Sequence, residues 1–233
     1  MDAGACRVTV DARAAPDLAD WARGPMRTMV SAWYPRWIRE TASEGYRPIR
    51  EIHIRIRDDL KEVPALTRAQ DIELNADWVR RERDREALGC LAHELVHVAQ
   101  DYPPAGPRGT AAPGWVVEGI ADYLRWFVFE PHSRGAELTP AQLGRVRFDD
   151  GYRVSANFLD WVVCSRNPGI IRMLNAAARE GRYDDARWKE WTGESLEDLN
   201  RAWIDDRRRT AAVRGLGVTS SIAGPANDTA RLP

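Results

Sequence analysis

The stretch Ala87-Leu88-Gly89-Cys90-Leu91-Ala92-His93-Glu94-Leu95-Val96-His97-Val98-Ala99-Gln100 decides how the rest of the chain is read. It is apolar, free of proline, and carries H-E-x-x-H. Helical residues at i and i+4 lie about 40° apart around the axis, so a helix here points His93 and His97 the same way. Cys90 and Glu94 continue that arc, while Leu88, Leu91, Leu95, Val98 and Ala99 fill the opposite side. The helix thus has one wet edge, and that edge holds the ligand-type residues. Its expected limits are Asp77 or Asp84 at the start and Tyr102 at the end, because Pro103-Pro104 cannot continue a helix.

Two imidazoles with a carboxylate between them on one helical edge suit a divalent metal. A catalytic zinc takes three protein ligands and keeps one position for water. Residues 114–127 read as a second long helix, and Glu118, separated from His97 by twenty residues, is the expected third ligand. Its neighbours Trp115, Val116, Ile120 and Leu124 are apolar, which predicts a buried carboxylate, and such a group must be paired or metal-bound. Asp122 lies one turn further on. It is the expected acceptor for the second N–H of His93; a simple pair with Arg125, three residues on, is the plainer role, and the two are compatible. Gly119 is expected to let this helix approach the first closely. Glu94 faces the water position and is the expected general base. For the donor to a developing oxyanion, Tyr152 in Asp150-Gly151-Tyr152-Arg153 is the first candidate and Tyr102 the second.

Working outward, Arg50 to Asp58 alternates strictly: Ile52, Ile54 and Ile56 on one face, His53, Arg55 and Arg57 on the other. This predicts a strand on which His53 is a solvated residue. Val8-Thr9-Val10 reads as a short strand. Asp71-Ile72-Glu73-Leu74-Asn75 reads as another, expected at a sheet edge where it can hold an extended peptide. Asp17 to Ser43 is helical in pattern, with Gly24-Pro25 and Pro35 expected to divide it. Downstream come a Pro/Gly/Ala-rich loop at 103–114 and an irregular connection at 131–150. Helices follow near 151–164, 168–181 and 195–207, with a Trp188/Trp191 segment before the last. From about Thr210 the composition predicts a disordered tail over 210–233. The expected organisation is one domain over 1–209, an α/β part (1–102) followed by a helical part (103–209). The fold class is therefore α+β, with a small mixed sheet before a mostly helical half.

A length of 233 residues with 44% hydrophobic content supports one large core. A net charge of −1 and a pI near 6.5 imply no basic face, which disfavours nucleic acid as a partner. No run reaches the ~18 apolar residues of a membrane span. Met1-Asp2-Ala3-Gly4 lacks the features of a signal peptide, so either the protein is cytosolic or a leader has been removed. Of the ten tryptophans, most are expected in the core and a few along a substrate groove. Cys6, Cys90 and Cys164 form no C-x-x-C, so a cysteine-based zinc site is not expected. Buried thiols at Cys90 and Cys164 are the leading expectation, and one disulfide is the alternative for an exported chain.

His93-Glu94-Leu95-Val96-His97 followed by Glu118-Gly119-Ile120-Ala121-Asp122 resembles the gluzincin pattern of thermolysin-type metallopeptidases. More narrowly, the segments Ile72–Trp78, Leu91–Gln100, Glu118–Arg125, Gly151–Trp161 and Leu196–Trp203 are similar to the basic secretory protein family of plant and bacterial peptidases. The resemblance spans residues 17–207. It implies a zincin-like fold with a cleft between the two halves, and Zn2+ held by His93, His97 and Glu118 with Asp122 behind a histidine. It further implies a protein or peptide substrate and a secreted or periplasmic location, although this chain is not basic. Two alternatives stand beside the peptidase: a zincin-like module that binds metal without proteolysis, and a hydrolase of another amide or glycopeptide. Glu94 weighs against the first, because a structural zinc needs no base and usually has four protein ligands.

Overall fold

The computed structural model describes residues 6–103 and 112–220. The chain opens with β1 (Arg7–Asp11), passes through short helical turns that include α1 (Ala19–Trp21), and enters α2 (Arg27–Thr41). Between α1 and α2, Ala22–Met26 forms a π-type turn that contains Gly24 and Pro25. A wide turn of this kind accommodates a residue lacking an N–H. Pro35 does not divide the helix as expected; α2 runs through it, held by the buried Tyr34, Trp37 and Ile38.

The sheet follows from β2 (Glu51–Arg57), β3 (Ala65–Arg68) and β4 (Asp71–Asn75). The strand order is β1-β2-β4-β3, with β1, β2 and β4 parallel and β3 antiparallel to β4. Ile52, Ile54, Ile56, Ile72 and Leu74 point into the core and are almost wholly buried. His53 lies on the outer face beside Asp71 and Glu51. One expectation is corrected here. Asp71–Asn75 is not an edge strand, since its two buried aliphatic residues sit between neighbours on both sides. The edge belongs to β3, joined to β4 by a tight turn in which Ala69 has φ +53°.

Of the two expected starts, Asp84 lies close to the observed one: α4 spans Ala87–Gln100, and residues from Asp77 belong to a separate helix, α3 (Ala76–Glu82), capped by the Asn75 side chain accepting from Trp78 N–H. Helix α4 is the centre of the molecule, with twelve of its fourteen residues buried. Trp37 Nε1 donates to Ala92 O, and Tyr46 Oη donates to Ala99 O. Arg179 donates to Ala99 O and Gln100 O. The contacts to Ala99 O and Gln100 O satisfy carbonyls that a helix end leaves unpaired.

The second half is built from α5 (Gly114–Tyr123), which continues as π-type turns over Leu124–Phe129, then α6 (Tyr152–Ser165), α7 (Ile170–Arg179), α8 (Arg187–Thr192) and α9 (Leu196–Ser220). Helix α9 carries the chain past the expected tail boundary at Thr210. Ala211 and Ala212 are strong helix formers and extend it, while 221–233 lie outside the described residues, as does most of the expected loop at 103–114. Gly119 does serve a close approach, but to α6: a Cβ there would lie 2.8 Å from Ser155 Cβ. Trp115, Phe148, Phe158, Trp188 and Trp203 pack edge and face in one aromatic cluster. The architecture is α+β, and no helix among the described residues is long and apolar enough to cross a membrane.

Candidate metal centre

Helices α4 and α5, with the start of α6, bring the expected residues to one place. His93 Nε2 and His97 Nε2 are 3.1 Å apart. Glu118 Oε2 lies 3.2 Å from the first and 3.5 Å from the second. Donor atoms held about 2.0–2.2 Å from a tetrahedral metal lie about 3.3–3.6 Å from one another, so this triangle is close to, and slightly tighter than, one face of such a site. The outer nitrogen of each ring is already engaged. His93 Nδ1 faces Asp122 Oδ1 at 2.7 Å, and His97 Nδ1 faces Gln100 Oε1 at 2.8 Å. With those nitrogens donating, both Nε2 lone pairs and a carboxylate oxygen converge on one point. Three lone-pair atoms so close repel one another unless a cation or a proton sits among them, and the group can hold a metal ion.

The electrostatics agree with that reading of the geometry. Burial by itself lowers the His93 imidazole, but its hydrogen bonds to Asp122 and Glu118 prevail and raise its pKa to about 9. Burial raises the Glu118 carboxyl, yet the hydrogen bonds to His93 and His97 outweigh it and bring it down to about 2. Glu118 is half-buried rather than buried, its carboxylate turned to the cleft. Asp122 is 4% exposed and bonds to His93, not to Arg125. Arg125 instead bonds Glu86 and Glu130, and Glu130 wedges against α4 at Gly89, where a Cβ would meet its Oε1 at 2.3 Å.

The three donors open into a cleft of about 990 Å³ that Glu94, Tyr152 and β3 also line. Glu94 is buried, and its Oε2 accepts a 2.6 Å hydrogen bond from Thr67 Oγ1 on β3. Tyr152 is 59% exposed, and its ring stacks on that of His93 with centroids 6.4 Å apart. It holds φ +37° directly after Gly151 at φ +91°, a sterically costly backbone for a tyrosine. Tyr102 is not available in the same way, since its hydroxyl donates to Asn175 Oδ1 at 2.6 Å. No tryptophan lines this cleft among the described residues, contrary to expectation; its aromatic side chains are Tyr102 and Tyr152. Cys90 is buried beside it with its thiol pushed up to about 12, first by burial and then by Glu94. Cys164 is exposed, contrary to expectation, and the three thiols are free.

Two contributors escape a reading of the sequence. Gln100 accepts from His97 and donates to Val117 O on α5, tying the two ligand-bearing helices together. Its signal was present, three residues after a histidine on one helix face. Thr67 had no such signal, because β3 itself shows no alternation.

A family described as BSP, peptidase of plants and bacteria, matches residues 18–203. No curated protein and no solved structure matches the chain.

Proposed function

The chain belongs to the BSP family, peptidases of plants and bacteria, and from that premise we propose that it is a zincin-like zinc metalloendopeptidase. The observation that carries this reading is the triangle of His93 Nε2, His97 Nε2 and Glu118 Oε2, opening into a cleft that Glu94 shares. These three residues are the ligands. When bound there, zinc supplies Lewis-acid polarisation of a peptide carbonyl and acidifies a water molecule.

The remaining chemistry belongs to side chains. Asp122 and Gln100 fix the ring orientation of His93 and His97, so that each presents Nε2 to the ion. Glu94 takes the proton from the attacking water and passes it to the leaving amine. Thr67 restrains the Glu94 carboxylate through its hydroxyl hydrogen bond. Tyr152, exposed at the cleft beside His93, donates its phenolic hydrogen to the developing oxyanion.

The substrate lies along β3. Asn75 N–H donates to Pro64 O, and antiparallel pairing alternates from that point. Ala65 and Thr67 therefore turn their backbone N–H and C=O away from β4 toward the free edge, where an extended peptide can add as a further strand. From the resemblance to the basic secretory protein family we also propose action outside the cytoplasm.

Metal analysis with hydrolysis of casein, before and after chelation, tests the proposal. One zinc per chain, loss of hydrolysis on chelation and recovery with stoichiometric zinc support it. Hydrolysis that survives complete metal removal contradicts it.

A further inference from the structure

Tyr152 and Arg153 open α6 side by side, and both line the cleft, as does Arg125. The two guanidinium groups rest on one indole. Arg125 Cζ is 3.9 Å and Arg153 Cζ 4.6 Å from the ring centroid of Trp126. That indole is a fixed shelf: Trp126 is buried, and Gly135 packs so tightly on it that a Cβ there would lie 2.2 Å from the ring. The charge of Arg125 is committed to Glu86 at 3.0 Å and Glu130 at 3.4 Å. Arg153 differs. It is exposed and forms no ion pair among the described residues, Glu130 acting on it only through a longer-range Coulombic attraction.

The other charges of the cleft are disposed around it. Glu118 and Asp122 face the histidines, and Glu94 accepts from Thr67. Asp101 caps the C-terminal end of α4, whereas Arg125 and its partner Glu86 mark the N-terminal end. Glu86 and Glu130 are thus taken up by Arg125, and Asp101 lies near the Arg179 guanidinium, while Arg153 forms no ion pair among the described residues.

We propose that Arg153 is a specificity determinant, selecting peptides that bring a carboxylate into the segment held by the cleft, from an acidic side chain or from a C-terminus. The inference rests on the peptidase reading of the site. A guanidinium binds a carboxylate in a planar, two-pronged geometry that ammonium groups do not offer. Stacking on Trp126 holds Arg153 in place beforehand, which reduces the side-chain ordering that binding must otherwise impose.

The test is fluorescence anisotropy with labelled peptides on the zinc-loaded Glu94→Gln chain, which binds without turnover. One arm compares end-blocked peptides carrying Glu or the isosteric Gln at each position in turn. A second arm compares free and amidated C-termini. In one of the arms the carboxylate peptide binds about tenfold more tightly or better, as expected for a charge-assisted hydrogen bond. That ratio falls to near one in Arg153→Gln, and Arg153→Glu shifts the preference to Lys peptides. Equal binding in both arms, no measurable binding of any peptide, or a ratio unchanged by Arg153→Gln overturns the proposal. Casein hydrolysis by the unaltered enzyme is followed in parallel. If it is absent while the charge preference persists, the peptidase reading fails and the assignment of Arg153 stands; hydrolysis without charge preference has the reverse meaning. Arg153 is exposed, so its variants are expected to fold, and circular dichroism checks this.

Discussion

The Nδ1 atom of His93 lies 2.7 Å from Oδ1 of Asp122, a buried hydrogen bond joining α4 to α5. It fixes which nitrogen of His93 faces the proposed metal. Asp122→Ala removes the acceptor and frees the ring to turn. Zinc affinity, measured by competition with a chromogenic chelator, is expected to fall about 10–100-fold. Unchanged affinity would show that packing alone orients His93.

The acid–base behaviour of the metal-free chain gives a second prediction. His93, raised to about 9, stabilises the metal-free fold fully below its ordinary value near 6.5, and this contribution is lost as pH rises through 9. Glu118, lowered to about 2, contributes above its ordinary value near 4.5, and its share is lost as pH falls through 2. Metal and proton compete for His93, so zinc binding at pH 7 releases a proton and strengthens as pH approaches 9. Melting temperatures should therefore diverge between pH 6.5 and 9, declining without zinc and holding or rising with it. Calorimetry in buffers of different ionisation enthalpy reads the released proton directly.

Thr67→Val keeps the shape of β3 and removes the hydroxyl that bonds Glu94 at 2.6 Å. Hydrogen bonds to charged groups contribute about 1.5–3 kcal/mol, which sets an upper range of roughly 10–100-fold on the effect. The expected result is a fall of about tenfold in kcat with zinc content unchanged. An equal loss of zinc would assign Thr67 a structural role.

Gly119→Ala places a methyl group against Ser155 Cβ, where the α5–α6 backbones are too close to admit it. Overpacking of this kind costs about 1–3 kcal/mol, or a drop in Tm of roughly 2–10 °C for a chain of this size. An unchanged Tm would mean that α6 moves aside freely.

What local spacing determines was legible in the residues. The wet edge of α4 needs only a helical repeat, so His93, Glu94 and His97 were placed without knowledge of the fold. Glu118 and Asp122 followed from one further helix, and β2 from its alternating isoleucines. Pairing between distant segments was not legible. Ala65–Arg68 is half-buried along most of its length, without the alternation that marks a strand, so the edge position went to Asp71–Asn75 instead. Thr67 was missed for the same reason. Tyr102 stood as the second candidate after Tyr152 because its partner, Asn175, lies 73 residues away. The exposure of Cys164 likewise depends on which face of α6 meets its neighbours.

The most direct measurement compares the unaltered chain with Glu94→Gln for zinc content and for hydrolysis of casein. The substitution preserves size and leaves His93, His97 and Glu118 in place. Equal zinc in both proteins, with hydrolysis reduced by at least about 100-fold in the variant, is the predicted result. Hydrolysis that survives in Glu94→Gln, or is absent from the zinc-loaded unaltered chain, would contradict the account.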